Sequence, residues 1–268
     1  MAQATKRKPK PIRSDIAWST SDRIAVFGYD LPRDLIGRIN LGDMGYLEVM
    51  GRLPDRHESR MFNAILVTLV EHGIVPSTLA TRFTYTGAPE AMQAAVAAGL
   101  LGLGSVFVGS TEGAARMLSS ALPNPKAKVS LSALAERIVA ERHGTGSIVP
   151  GIGHPIHKPV DPRVKRLFAI ARATRFSGPY VELMKFIAQK AEKAYGKQLP
   201  INATGAIGAI CCEMRIPWQV SRGLGIMARA VGLVGHVLEE SKRPLATEVW
   251  HRVDDEATAH TRGKLRRK

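Results

Sequence analysis

Cysteine is almost missing from this chain. The only two, Cys211 and Cys212, are neighbours in the sequence, and adjacent cysteines pair badly while no third offers a partner. A disulfide framework is excluded, and the composition points to a reduced, intracellular chain. Aromatic residues make up only 6%, too few for a surface on which single-stranded nucleic acid stacks. No apolar run reaches the ~18 residues needed to span a bilayer, so no membrane association is expected. The basic N-terminus lacks a following apolar stretch and a small-residue cleavage site, which argues against a secretory signal. A cytoplasmic location is the expectation. A Walker lysine motif is also lacking. Gly223-Leu224-Gly225 misses the third glycine of a dinucleotide fingerprint and falls in a helical run, where close helix packing explains it better. Gly102-Leu103-Gly104 runs into Phe107 where that fingerprint needs a glycine. His154 and His157 are three apart, but Pro155 intervenes and no cysteine or paired carboxylate lies near them in sequence. No metal is therefore expected. Strand-like alternation is nearly absent, and no repeat of 20–50 residues is visible.

What remains is a chain of 268 residues, 45% of them apolar, with a formal net charge of +15. That length suffices for one large domain or two modest ones. The charge is concentrated at the ends. Lys6, Arg7, Lys8, Lys10 and Arg13 give the first stretch +5, Arg262, Lys264, Arg266, Arg267 and Lys268 give the last stretch +5, and the body keeps +5. Two solvated basic tails, 1–20 and 261–268, are expected, without a nucleic-acid role. A mildly basic body suits anionic metabolites.

The periodicity is helical. Phe62, Ile65, Leu66, Leu69 and Val70 fall on one helix face, and Gly73 stands at the expected stop. Pro89 is read as a first-turn proline ahead of an Ala-rich helix to Leu101. Helices are also predicted over 131–142, 163–175 and 180–195, and a final apolar set includes Val220, Leu224, Met227, Val231, Val234 and Leu238. The stretch from Ala25 to Asp30 reads as a short extended piece or a tight turn. The expected class is all-α, with loops at 143–162 and 196–205 where site residues usually sit.

The strongest local signal runs from Gly151 to Arg163. Glycines and prolines shape a polar loop that carries two imidazoles, an ammonium and a guanidinium. An imidazole near its reference pKa of ~6.5 can donate to a carbonyl or accept a proton. An arginine fork fits a carboxylate, and a lysine suits a phosphate. Together they suggest a carboxylated, phosphorylated ligand, set against the plainer reading of a surface loop with capping histidines. His72, at the end of an apolar helix, is a second candidate, although a lone histidine there is more often a cap.

The order of motifs resembles citrate synthases and, more closely, stand-alone citryl-CoA lyases and the citryl-CoA lyase module of ATP-citrate lyase. The resemblance covers Phe27 to Glu248. Gly28-Tyr29-Asp30 with Leu35-Ile36-Gly37 is similar to the family's entry segment, and Gly51-Arg52-Leu53-Pro54 to its G-x-L-P turn. Glu71-His72-Gly73 with Pro76-Ser77-Thr78 resembles D-H-x-x-x-S-T. Gly151 to Arg163 resembles G-x-G-H-x-x-x-K-x-x-D-P-R. Met214-Arg215-Ile216-Pro217 resembles M-G-I-P with Arg215 for glycine. Gly232 to Glu239 and Arg243-Pro244 resemble its G-x-x-A-H-x-x-E helix and R-P ending.

This resemblance implies an all-α citrate synthase-like fold, with a large helical domain (21–110 and 220–260) and a small one (111–219), in a homodimer. It implies His154 and Thr204 at the catalytic positions, His72, Arg163 and Arg243 as substrate-binding residues, and Lys158 and Lys197 against coenzyme A phosphates. Coenzyme A enters as part of an acyl-CoA substrate, and no permanently bound cofactor is implied. The expected reaction is cleavage of citryl-CoA, or a related 3-hydroxy-3-carboxyacyl-CoA, to acetyl-CoA or another acyl-CoA and a 2-oxo acid such as oxaloacetate. The alternatives are a condensing enzyme of the citrate synthase type and a catalytically impaired CoA-ester-binding paralogue. Phe107 stands where citrate synthases carry a histidine and the lyase branch carries Phe, which favours the lyase. Asn202-Ala203-Thr204 aligns with the family's N-V-D, so Thr204 replaces the catalytic Asp. A hydroxyl cannot act as a general base near neutral pH as a carboxylate can. Either the base comes from elsewhere, such as His157 or Glu213, or the substrate differs, or catalysis is lost.

Overall fold

The computed structural model describes residues 11–154 and 156–262. The tail cations Lys6, Arg7, Lys8, Lys10, Lys264, Arg266, Arg267 and Lys268 lie outside the described residues, as does Pro155. The chain divides into two compact units, residues 1–59 and 60–268.

The first unit opens with strands β1 (Ala17–Ser19), β2 (Ile24–Val26) and β3 (Tyr29–Asp30), paired antiparallel in that order. β1 thus falls inside 1–20, the stretch expected from sequence to be a solvated basic tail. The segment around Gly28 is both extended and turned. Ala17 pairs with Val26 and Val26 with Tyr29, and the intervening Phe27 and Gly28 have φ of 47° and 83°, as a tight hairpin requires. Helix α1 (Leu41–Met50) begins at an Asn40 cap that accepts from the Asp43 amide, and it ends at Gly51 in the left-handed conformation. The Gly51–Pro54 turn expected from sequence is present. Val26, Leu35 and Leu47 form the core, with Phe27, Tyr29 and Leu53 against it. Arg52 forks onto Glu58, which also accepts from the Tyr46 hydroxyl.

Among the described residues, the regular structure of the second unit is helical apart from an isolated bridge between Ile152 and Ile201. Its helices are α2 (Arg56–Val70, which starts in the first unit), α3 (Pro76–Gly87), α4 (Met92–Leu101), α5 (Gly109–Ala121), α6 (Leu131–Gly144), α7 (Pro162–Ala173), α8 (Pro179–Tyr195), α9 (Ala203–Glu213), α10 (Trp218–Lys242) and α11 (Ala246–Thr258). The all-α class holds apart from the small sheet. Phe62 and Ile65 are fully buried on α2, as their spacing predicts. Pro89 sits in a turn three residues before α4 rather than in its first turn.

α6 packs along α8, α3 along α4, and α5 along α9, while α10 contacts α3, α4 and α5. Glycines set two of these approaches. A Cβ on Gly225 of α10 would lie 2.3 Å from Val108, and one on Gly99 of α4 would lie 2.0 Å from Thr81 Oγ1. A buried ionic group ties α3 to α10. Arg82, 1% exposed, donates to Glu240, Glu239 and His236. Glu240 in turn accepts from the Leu245 and Ala246 amides, fixing the start of α11. Among the described residues no single helix is long and apolar enough to cross a membrane.

Candidate active site

The loop of 151–161 is zipped to the segment before α9. The Gly153 amide donates to Pro200, the Asn202 amide to Gly151, and the Asn202 side chain to the Gly153 carbonyl. A Cβ on Gly205 would lie 2.1 Å from the Gly151 carbonyl oxygen, so only glycine allows this contact. Asp161 completes the join. Its carboxylate is fully buried, caps α7, accepts a bidentate fork from Arg163, and takes the Ala203 amide. Burial alone would raise its pKa, but the Arg163 bonds outweigh that and hold it below the ordinary carboxylate value.

On this scaffold three histidines converge. The ring of His154 lies 4.4 Å from that of His157 and 6.0 Å from that of His72, centroid to centroid, and His72 and His157 are 5.9 Å apart. The backbone amides of Ile156 and His157 both donate to His154 Nδ1, at 3.1 and 3.0 Å. An Nδ1 that accepts carries no proton, so the neutral ring holds its proton on Nε2. Arg163 Nη2 stands 3.4 Å from that Nε2. With Nε2 protonated the two side chains present donors side by side, and an oxygen with negative or developing negative charge, lying to one side of the pair, can accept from both. His154 and His72 both titrate below the ordinary histidine value. Desolvation is the main cause in each, followed by His157 for His154 and by Arg163 for His72.

A second guanidinium, missed by sequence, joins Arg163. Arg229 on α10 is 8% exposed, and its Nε and Nη1 have no hydrogen-bond partner among the described residues. Its burial works against its charge, Glu71 offsets this, and its positive charge reaches His72. A buried guanidinium with open donors is suited to an incoming carboxylate. The available signal was an arginine one residue from the buried Ala228 in a helix whose buried side is otherwise largely apolar.

The remaining expected residues are placed less uniformly. Thr204 is part-buried at the start of α9, donates to Asn202 Oδ1 and accepts from Ser110, 3.0 Å away. Lys158 is exposed on the histidine loop. Lys197 lies 5.9 Å above the Tyr195 ring, whose edge meets His143. Arg243 is not brought into the histidine cluster. It lines a groove of about 600 Å³ with Glu71, Gly235, His236 and Glu239. Glu213 stands at the opposite end of α9 from Thr204, where its Oε1 accepts the Gly178, Tyr180 and Val181 amides and caps α8.

One nitrogen from each of His72, His154 and His157 lies within 4.8 Å of the others. As a metal site this set is compromised. His154 Nδ1 is already occupied by two amides, and its Nε2 carries the proton, so that ring has no lone pair to give.

The family model described as "Citrate synthase, C-terminal domain" matches residues 43–247. Among solved structures, the citryl-CoA lyase of Hydrogenobacter thermophilus superposes with a TM-score of 0.77 at 36% identity, over 86% of this chain and 87% of that one. The ATP citrate lyase of Methanothrix soehngenii, in complex with citrate and coenzyme A, gives 0.70 at 24% identity over 88% of this chain and 40% of that one, a likeness of fold. Among curated relatives, the probable ATP-citrate synthase of Dictyostelium discoideum is 26% identical over 88% of this chain. This chain spans about two fifths of that relative's length, matching 39% of it.

Proposed function

Because the chain belongs to the citrate synthase family, we propose that it is a carbon–carbon lyase that cleaves citryl-CoA, or a related 3-hydroxy-3-carboxyacyl-CoA, to an acyl-CoA and a 2-oxo acid. The observation that carries this is the meeting of His154 Nε2–H with Arg163 Nη2, 3.4 Å apart, as a cradle for the tertiary hydroxyl oxygen that becomes the keto oxygen. Arg229 and His72 beside it receive the substrate carboxylates, and Lys158 and Lys197 meet coenzyme A phosphates. Arg243 binds a carboxylate from its own groove. In this reaction the hydroxyl loses its proton and the adjacent C–C bond breaks. The electron pair passes to the α-carbon of the thioester, and the resulting enolate is reprotonated.

Phe107 and the likeness to a citryl-CoA lyase support cleavage over condensation. Thr204, a hydroxyl at the position of the family's catalytic Asp, is the one observation that favours a second reading, a chain that binds CoA esters without turning them over. Exposed Val231, Val234 and Leu238 on α10, opposite its buried Leu233 and Val237, suit a face covered by a second copy, and a homodimer is part of the proposal. Unpaired Cys211 and Cys212 fit a cytoplasmic setting.

The test is to incubate the purified protein with a panel of 3-hydroxy-3-carboxyacyl-CoA esters and identify products by mass spectrometry. Release of acetyl-CoA or propionyl-CoA with a 2-oxo acid is expected, and Arg229→Gln should raise KM at least tenfold. Binding without cleavage of any ester would favour the second reading.

A further inference from the structure

Cleavage needs a group that takes the hydroxyl proton and another, or the same one, that protonates the enolate carbon. Most groups around the cradle are unavailable. His154 presents Nε2–H and is a donor, because its other nitrogen accepts two backbone amides. The Asp161 carboxylate is spent on Arg163 and Ala203, and Glu213 lies at the far end of α9, where its Oε1 caps α8. Glu71 accepts from the His72 and Gly73 amides and faces His236. Thr204 already donates its proton to Asn202 and accepts from Ser110, and a hydroxyl is no base at neutral pH.

Two imidazoles are left, His72 and His157. Neither ring makes a hydrogen bond among the described residues. They differ in what surrounds them. His72 feels both Arg163 and Arg229, which suits it to hold a carboxylate. His157 is the nearer ring to His154, at 4.4 Å and tilted 32°, and its backbone amide is one of the two that fix the His154 ring. With one nitrogen of each ring within 4.8 Å of the others, an oxygen at about 2.9 Å from both His154 and His157 can be shared between them.

Resting on the lyase reading, we propose that His157 is the proton carrier of this site, acting at the position where the chain has no catalytic carboxylate. A neutral His157 nitrogen accepts the proton of the tertiary hydroxyl as its O–H bond breaks. The C–C bond then breaks, the keto C=O forms, and the bonding pair moves onto the thioester α-carbon. The His157 imidazolium returns the same proton to that carbon, forming the C–H bond and restoring the neutral ring. No proton is gained or lost, and nothing is oxidised or reduced. His154 and Arg163 hold the oxygen throughout, and His72 holds a carboxylate.

The experiment follows the carbon step directly. Acetyl-CoA is incubated with the protein and oxaloacetate in D₂O, deuterium entering the methyl group is measured by mass spectrometry, and acetyl-CoA binding is measured by calorimetry. The wild type is compared with His157→Gln and, should that variant fail to keep its helicity, His157→Asn. The expected result is a fall in exchange of ~100-fold or more, the scale of acid–base catalysis, with the Kd within threefold of wild type. Exchange within threefold of wild type would overturn the assignment, as would a loss matched by weaker acetyl-CoA binding. A wild type that neither exchanges acetyl-CoA nor cleaves any ester of the panel would instead sink the lyase reading and this one with it.

Discussion

At the scale of single residues, the departures from the family's motifs become physical statements. Arg215 stands where that pattern has glycine, and its φ is 57°. A side chain in that left-handed region costs about 1–2 kcal/mol. Arg215→Gly should therefore stabilise the fold and raise Tm by ~2–4 °C for each kcal/mol recovered, as read by calorimetry. No change would mean that the position is not strained. The histidines set a pH dependence. His72 and His154 lie below the ordinary value because burial and neighbouring cations disfavour their charged forms. The unfolded chain takes up protons first as pH falls. The stability that these neutral rings contribute is thus complete above about pH 6.5 and is lost as pH drops through their folded values. Stability read by denaturant titration should therefore fall on acidification below about pH 6.5, and a stability that rises there would contradict the cradle as described. Residues gathered in one contiguous motif, His154, Lys158, Asp161 and Arg163, were legible from sequence. Arg229 was not, because its meaning is its burial beside His72, and that is made by folding.

Among the elements, legibility followed amphipathicity. α2 and α8 each have one apolar face, so their periodicity showed. α9 is buried from Ala203 through Cys211 apart from the part-buried Thr204, and a helix covered all round has no polar face to mark its period. β1 escaped notice, and β2 and β3 were legible only as an extended piece or a turn, because these strands are two or three residues long. α9 owes its position to glycines. Gly205→Ala would force its Cβ against the Gly151 carbonyl and should destabilise by about 1–3 kcal/mol, loosening the Asn202 link to the histidine loop. Gly223 of α10 has nothing within 4 Å of a would-be Cβ, so Gly223→Ala should be neutral or stabilising by up to ~1 kcal/mol. Equal effects at the two positions, measured by denaturant titration, would show that the α9 contact is not specific.

For the molecule as a whole, the cations that matter are the few that are placed, not the many that are present. The chain carries +15, yet the candidate chemistry depends on the part-buried Arg163 and the buried Arg229, with three rings beside them. In the proposed site, exposed Lys158 and Lys197 would supply the more general attraction for a phosphorylated substrate, which salt should weaken. The most direct measurement is a single-turnover reaction of citryl-CoA with the wild type and with His154→Ala, their helicity compared by circular dichroism. The wild type should release one acetyl-CoA and one oxaloacetate per citryl-CoA, while the variant keeps its helicity and loses turnover by at least ~100-fold. A His154→Ala protein that still splits the C–C bond at the wild-type rate would contradict the cradle as the centre of this chemistry.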